Sequence, residues 1–296
     1  MGRGYARAFL ISGCAALLTL TARPASTQEV NCDPGDVEVT GLSFTGNTAF
    51  TDAQLAEVIV TTPSPFARTV LRLPLTARRC LDRVELPKDR ARLVIFYRRS
   101  GFADAVVDTV LRPARRGVEV RFLITEGEPT MLGSLVIEGL DSVASRAAIV
   151  RNLPIRAGNR FDRVALEAAR DTIARRLRNS GYPRAVVDNS FDIDDSLRIA
   201  HDTISVSTGP FTRIGNVALE VVPFEGKGKQ VPDRVVKSIV GIEPGDVYRE
   251  DDLLEAQRSL YRTEAYQHVS LVADTAIRGD SLLDVRVLLA ENTTRS

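Results

Sequence analysis

Few side chains in this chain have the types and spacing that catalysis or metal binding requires. The two histidines, His201 and His268, have no Cys, Glu or second His at metal-ligand spacing, so we expect structural or exposed positions for both. The acidic stretch Asp188 to Asp195 could bind a cation. It lacks the glycine and the final glutamate of a calcium loop, so a solvated turn is favoured. The sequence therefore predicts no metal site.

Motifs for nucleotide binding and nucleophilic catalysis are also missing from the sequence. Gly226 to Lys229 matches a phosphate-binding loop in composition alone, because no Gly-Lys-Ser/Thr sequence leads from a strand into a helix there. No serine stands in a Gly-x-Ser-x-Gly turn. The net charge of +1, from 39 basic and 38 acidic side chains, argues against nucleic acid as a partner. We therefore expect no catalytic residue, no cofactor and no nucleic-acid partner.

The chain instead carries an internal repeat, which indicates three small domains in tandem. Ala-Val-Val-Asp begins at Ala105 and again at Ala185, a spacing of 80 residues, and follows Gly101-Phe102 and Gly181-Tyr182. A looser third copy lies at Ala265-Tyr266. A unit of this length is a domain rather than one turn of a solenoid. The predicted domains are 28–129, 130–210 and 211–292, followed by a tail at 293–296.

Each unit has the pattern of a strand, two helices and two further strands. In the second unit, apolar residues recur every three or four positions from Leu166 to Leu177, which predicts one buried helix stripe after a first helix at 145–152. In the third unit, apolar side chains alternate from Leu283 to Leu289, which predicts a half-buried strand. We therefore predict α+β domains, each a small three-stranded sheet with two helices on one face.

The first strand of each closing hairpin is predicted to lie at a sheet edge. An uncovered edge offers backbone N–H and C=O groups that another chain can extend as an added strand. The alternative is that these strands pack only within their own sheets. The predicted protein-binding residues are Ala105, Val106, Val107, Asp108, Thr109 and Val110 in the first unit, Ala185, Val186, Val187, Asp188, Asn189 and Ser190 in the second, and Val269, Ser270, Leu271 and Val272 in the third.

The N-terminus has the order of a secretory signal peptide, with Arg3 and Arg7, an apolar run from Ala8 to Leu20 and small residues after it. The apolar run of about 13 residues is shorter than the ~20 that cross a bilayer as a helix. We therefore predict that residues 1–27 are cleaved and that the mature chain leaves the cytoplasm. Lipidation at Cys14 stays open, because the residues before it match a lipoprotein acceptor sequence in part.

Removal of the signal peptide leaves two cysteines, Cys32 and Cys80. An even pair in an oxidising compartment could form a disulfide that ties the start of the first unit to its insertion, Thr62 to Val84. The sequence does not fix whether the two side chains meet. The insertion is rich in proline and arginine and matches no element of the repeat, so it has no predicted structure.

Several short motifs resemble one known family in the same order and spacing. Val39 to Phe50 looks like an opening strand with its Gly-Asn turn, Gly101 to Ala105 and Gly181 to Ala185 look like the junction before the second strand, and Gly127 to Pro129 looks like the closing turn. From about Asp36 to Asn292, the chain resembles POTRA domains, the periplasmic repeats of BamA-type outer-membrane assembly and translocation proteins.

The resemblance implies a role in the periplasm, at the inner face of the outer membrane. POTRA domains of such proteins bind unfolded outer-membrane or secreted proteins and accessory subunits, partly by β-augmentation. Because the sequence reaches Ser296 without the strands of a membrane barrel, we expect no insertase activity from this chain alone. A separate barrel or assembly-complex subunits are the implied partners. A cell-envelope or division adaptor, and an envelope enzyme, are the alternatives.

Overall fold

The computed structural model describes residues 32, 35–69, 77–224, 231–278 and 281–292 of the protein. Several sequence predictions concern residues outside this part of the chain. These are the signal peptide (1–27) with Cys14, the centre of the insertion (70–76), the 226–229 loop and the tail (293–296).

The described residues form three successive groups of helices and strands, one for each unit of the repeat. The first consists of β1 (Val39–Thr45), α1 (Asp52–Val58), α2 (Phe66–Thr69), α3 (Glu85–Arg99), β2 (Val106–Ala114) and β3 (Gly117–Thr125). The second consists of β4 (Met131–Glu138), α4 (Arg146–Ile149), α5 (Arg163–Arg178), β5 (Val186–Asp194) and β6 (Ile199–Ser207). The third consists of β7 (Arg213–Val222), α6 (Asp233–Val240), α7 (Glu250–Arg262), β8 (Tyr266–Arg278) and β9 (Leu282–Glu291).

Each group contains one mixed sheet whose last strand lies in the middle. The strand orders are β1-β3-β2, β4-β6-β5 and β7-β9-β8. The central strand is parallel to the opening strand and antiparallel to its hairpin partner. A hairpin turn suffices for the antiparallel pair, whereas the parallel pair needs the intervening helices as a crossover. The predicted α+β class with small three-stranded sheets is confirmed.

Helix α5 shows how the sequence pattern produces a core. Its first turn is capped by Asp162, whose carboxylate accepts hydrogen bonds from the backbone N–H groups of Val164 at 2.9 Å and Ala165 at 3.2 Å. The predicted apolar stripe faces inward and packs against the sheet. The buried stripe residues are Leu166, Ala169, Ile173 and Leu177.

The first helix of the second unit is shorter than predicted. Residues 145–152 were expected to be helical, but α4 has one turn, Arg146–Ile149. The guanidinium of Arg176 donates hydrogen bonds to the carbonyl oxygens of Ile149 at 2.7 Å and Arg151 at 2.6 Å. Because a side chain satisfies these carbonyl groups, the backbone does not need to continue as a helix to pair them.

The insertion of the first unit extends the sheet beside β1. The N–H of Val39 donates to the carbonyl oxygen of Arg79 at 2.9 Å, and a bridge joins Glu38 to Cys80. Cys80 is bonded to Cys32 in a disulfide, with Cα atoms 5.6 Å apart. The part of the insertion that returns to the sheet therefore covers the beginning of the opening strand.

The other two units cover their opening strands in the same way without an insertion. The N–H of Leu132 donates to the carbonyl oxygen of Asn159 at 2.8 Å, and that of Ile214 donates to Asp246 at 2.8 Å. In both units the covering residues form the turn that precedes the long helix. Each sheet therefore has one edge that is covered at its beginning and a second edge formed by the hairpin.

Candidate protein-binding edges and the joints between units

The predicted binding residues lie on or next to the hairpin edges, β2, β5 and β8. Val106 to Val110 belong to β2, Val186 to Ser190 to β5, and Val269 to Val272 to β8. Ala105 and Ala185 come just before their strands and are buried. They close the turn that leads into the edge and are not part of it.

The backbone edges of β2 and β5 are open within the described part of the chain. The central strand lies on one side of each, and no hydrogen bond from another described element reaches their backbone groups on the other side. Unpaired edge groups of this kind can accept an added strand. The geometry therefore permits extension of both sheets by a segment of another chain.

The edge of β8 differs, because side chains of α7 occupy it. The N–H of Val269 donates to the hydroxyl oxygen of Tyr261 at 3.1 Å. The carbonyl oxygen of Val269 accepts a hydrogen bond from the Gln257 amide at 3.0 Å. An added strand would have to displace both contacts. The repeat pattern did not reveal this difference, which depends on polar residues at two positions of one helix.

Side chains on the two open edges alternate between the core and the surface. Val107 and Val187 are buried, whereas Val106 and Val186 are each 55% exposed at the start of the strand. An exposed valine beside an open edge gives an added strand an apolar side chain to pack on. The two edges therefore combine backbone hydrogen bonding with one equivalent apolar contact.

The junction glycines have a second task that the sequence did not show. The N–H of Thr130 donates to the carbonyl oxygen of Gly101 at 2.8 Å, and the N–H of Thr212 donates to that of Gly181 at 2.8 Å. Both glycines have positive φ, +93° and +92°. Each glycine therefore follows the end of a long helix and also accepts a hydrogen bond from the residue immediately before the first strand of the next unit, which defines two equivalent joints.

The first joint is held by a cation between aromatic rings. The guanidinium carbon of Arg160 lies 4.9 Å from the centre of the Phe50 ring and 5.1 Å from that of Phe102. Arg198 forms an ion pair with Asp104 at 2.7 Å across the same joint. Cation–π contacts of this kind stabilise a structure by about 0.5–2 kcal/mol, with the larger values where water is excluded.

The second joint uses an aromatic pair and an ion pair. The rings of Tyr182 and Phe211 meet edge to face with centres 5.6 Å apart. Arg178 binds Glu250 at 2.8 Å, and the N–H of Asp251 donates to the Asn179 side chain at 2.8 Å. The second and third units are therefore connected through the start of α7.

Two buried carboxyl groups give the first two units different electrostatics. Burial disfavours the ionised form of Glu126, but hydrogen bonds from Thr48, the Ala49 amide and the Tyr97 hydroxyl outweigh it and lower the pKa. Burial raises the pKa of Asp202, which lies on the helix-facing side of β6. Neither group lies on an open edge. The lowered pKa means that ionised Glu126 stabilises the first unit, whereas the raised pKa means that the ionised form of Asp202 is disfavoured in the second.

In the part of the chain that the structure describes, the two histidines belong to no assembled reactive site. His201 lies on the exposed sheet face, with Nδ1 2.7 Å from the Ser134 hydroxyl, and His268 lies on β8. In the described ranges, no three His, Cys, Asp or Glu side chains are grouped as a metal site. No helix of those ranges is both long and apolar enough to cross a membrane.

A strand, helices and a closing hairpin repeated in tandem define a class of small α+β array proteins. The chain belongs to the POTRA family, whose model, described as surface antigen variable number repeat, matches residues 37–127 and 131–209. POTRA domains 3–5 of Haemophilus influenzae BamA match with a TM-score of 0.50 and 18% identity, over 88% of this chain and 99% of that one. At this identity the match shows the fold alone.

A relative from Treponema pallidum (strain Nichols) links the sequence to a longer protein. A role as an outer membrane protein assembly factor has been proposed for it, and it is 23% identical to this chain over 264 residues. The match covers 86% of this chain and 29% of the relative. This chain thus spans less than a third of that protein's length.

Proposed function

We propose that this chain is a periplasmic protein-binding module of outer-membrane protein assembly or translocation. It binds unfolded client proteins or accessory subunits by β-augmentation at β2 and β5. The open backbone edges of these two strands carry the proposal. Family membership and the Treponema relative support the cellular setting, and the signal-like N-terminus supports export.

The proposed mechanism is strand addition without chemical change. Main-chain hydrogen bonds supply the affinity, so the module accepts many client sequences, while Val106 and Val186 favour an apolar residue at one position. Two weak sites on one chain reinforce each other through effective concentration when a client reaches both. This role requires no cofactor and no catalytic residue.

The three edges are not equivalent in the proposal. A client strand at β8 would first break the hydrogen bonds of Val269 with Tyr261 and Gln257. The client would then replace existing hydrogen bonds instead of adding new ones, so it loses the net gain of about 0.5–1.5 kcal/mol that each new bond gives at an open edge. We therefore assign client binding to β2 and β5 and only a minor part to β8.

The test is hydrogen exchange of the mature chain with an unfolded outer-membrane porin diluted from urea. We expect slower exchange of outward amides in β2 and β5 on binding, with little change at Val269. The double variant Val106→Lys with Val186→Lys places charge on both edges, which disfavours strand pairing, and should weaken binding about tenfold, or ~1.4 kcal/mol.

The matched control is Val136→Lys, which changes an exposed valine on the opposite edge strand of the second sheet. It should bind the porin like the unaltered chain. Equal loss of binding in the control, or amide protection confined to the helices, would contradict strand addition at β2 and β5.

A further inference from the structure

A groove of about 380 Å³ lies at the joint between the first and second units. One wall is the last turn of α3, and the other is formed by the start of α5 and the end of β5. Its surface combines cationic and apolar side chains. The residues used below are Ile95, Arg98, Arg99, Phe161, Arg163 and Ile193.

The groove carries more positive than negative charge. Arg99 pairs with Glu167 at 2.9 Å, but both side chains are about half exposed, at 47% and 51%, so the pair is weak and exchangeable. Arg163 stacks on the Phe191 ring at 4.8 Å and pairs with no carboxylate of the described ranges. Within the described residues, Arg98 forms no ion pair. Three guanidinium groups therefore face one carboxylate.

The second joint shows what balances this charge elsewhere in the same chain. Arg98 and Arg178 each lie three residues before a junction glycine. Arg163 and Glu250 are each the first residue of the long helix that follows the joint. Arg178 is neutralised by Glu250 at 2.8 Å, whereas the corresponding position at the first joint is a second arginine. Position 163 thus lacks the carboxylate that position 250 supplies to Arg178 at the second joint.

We propose that this groove binds an acidic segment of an unfolded polypeptide, in which an Asp or Glu carboxylate lies next to a large apolar side chain. Guanidinium groups bind carboxylates through paired hydrogen bonds. Ile95, which is 57% exposed, together with Phe161 and Ile193 supplies the apolar contact. All of these contacts are made by side chains, including Ile193 at the end of β5, and none uses the edge backbone groups that strand addition at β2 or β5 requires.

The test measures fluorescence anisotropy of the mature chain with a labelled linear peptide in which one Phe is flanked by two Asp. Arg163→Glu reproduces the charge pattern of the second joint and should weaken binding about tenfold or more. Arg98→Ala should weaken it severalfold, and this variant keeps the test valid if Arg163→Glu alters folding. Arg116→Glu, which makes the same charge change in the β2–β3 turn, should bind within about twofold of the unaltered chain.

Three results would overturn the proposal. The first is equal affinity for the Asp peptide and for the same peptide with Asn in place of Asp. The second is equal loss of binding in Arg163→Glu and Arg116→Glu. The third is that the groove binds vesicles containing phosphatidylglycerol, and not the peptide, in a manner lost in Arg163→Glu, which would assign it to a lipid headgroup. Unchanged porin binding in Arg163→Glu would leave the strand-addition proposal intact.

Discussion

The two joints share one backbone geometry and differ in nearly every side chain. In each, a threonine N–H donates to the carbonyl oxygen of a positive-φ glycine at 2.8 Å. Around that bond, the first joint places Arg160 between two rings, whereas the second pairs Tyr182 with Phe211. The comparison teaches that the backbone connection is the repeated element, and that side chains around it are free to acquire separate functions.

The electrostatics of the joints differ just as clearly. Position 163 is arginine at the first joint, and the equivalent position 250 is glutamate at the second. The residue before the connecting Gly-Glu-Pro or Gly-Pro turn is Glu126 at the first joint and Thr208 at the second. The first joint therefore carries ionisable groups in places where the second is neutral or internally paired.

Replacing the junction glycine Gly101 should cause the largest loss of stability at either joint. In Gly101→Ala, the new Cβ would lie 2.7 Å from the backbone oxygen of Phe161, in addition to strain from φ of +93°. We expect the free energy of unfolding to fall by about 3 kcal/mol, since positive φ alone costs ~1–2 kcal/mol. Urea unfolding followed by circular dichroism measures this loss.

Gly158→Ala measures the cost of backbone strain alone, without a steric clash of the new Cβ. Gly158 has φ of +85°, but a Cβ there meets nothing within 4 Å. This variant should lose only the ~1–2 kcal/mol of backbone strain. In Gly181→Ala the nearest atom belongs to the Phe211 ring, at 2.4 Å, and this side chain can rotate away. An intermediate loss is expected there, and equal losses in all three variants would show that the joints contribute nothing beyond strain.

Acidification should lower the stability of the first unit, by less than the replacement of Gly101 does. Hydrogen bonds hold the pKa of Glu126 in the folded chain below its ordinary value of 4.5, so ionised Glu126 stabilises the first unit at neutral pH. That contribution is fully present above 4.5 and is lost as the pH falls through the lowered pKa of the folded chain. Thr208 does not titrate, so the second joint has no counterpart of this pH dependence.

The check is urea unfolding of the mature chain and of Glu126→Gln between neutral and acidic pH. The variant should be less stable by about 1–2 kcal/mol at neutral pH, because the amide replaces an ionised acceptor of three hydrogen bonds. The two curves should converge at low pH, where Glu126 is protonated. A constant difference across the range would show that the hydrogen bonds act without regard to ionisation.

The sequence predicted the elements that depend on local periodicity. The stripe from Leu166 to Leu177 and the alternation from Leu283 to Leu289 mark a helix and a strand because side-chain spacing in each is fixed by backbone geometry. The order of the hairpin strands placed β2, β5 and β8 on the outside of their sheets. These features could be recognised without knowledge of any long-range contact.

Long-range polar contacts carried no comparable pattern. Arg176 binds carbonyl groups at and after the end of α4, more than twenty residues away, and Tyr261 and Gln257 bind the backbone of Val269 at the β8 edge. Neither follows from hydrophobic spacing. The sequence shows that Arg163 and Glu250 have opposite charge. Only the structure shows that the two residues occupy equivalent positions, each beside the end of the preceding unit's long helix.

Removing the ion pairs that cross the joints should change stability least, and the two joints should differ in the strength of these pairs. Arg178 and Glu250 are about one-third exposed, at 33% and 34%, whereas Arg99 and Glu167 are 47% and 51% exposed. Double-mutant cycles to alanine should give a coupling free energy of about 0.5 kcal/mol for Arg178–Glu250 and ~0.2 kcal/mol for Arg99–Glu167. Added salt should reduce both couplings. Equal couplings would mean that the partial burial of Arg178 and Glu250 adds nothing. A stronger Arg178–Glu250 coupling would mean that Glu250 holds the second and third units together more firmly than Glu167 holds the first and second, because its ion pair is less exposed to solvent.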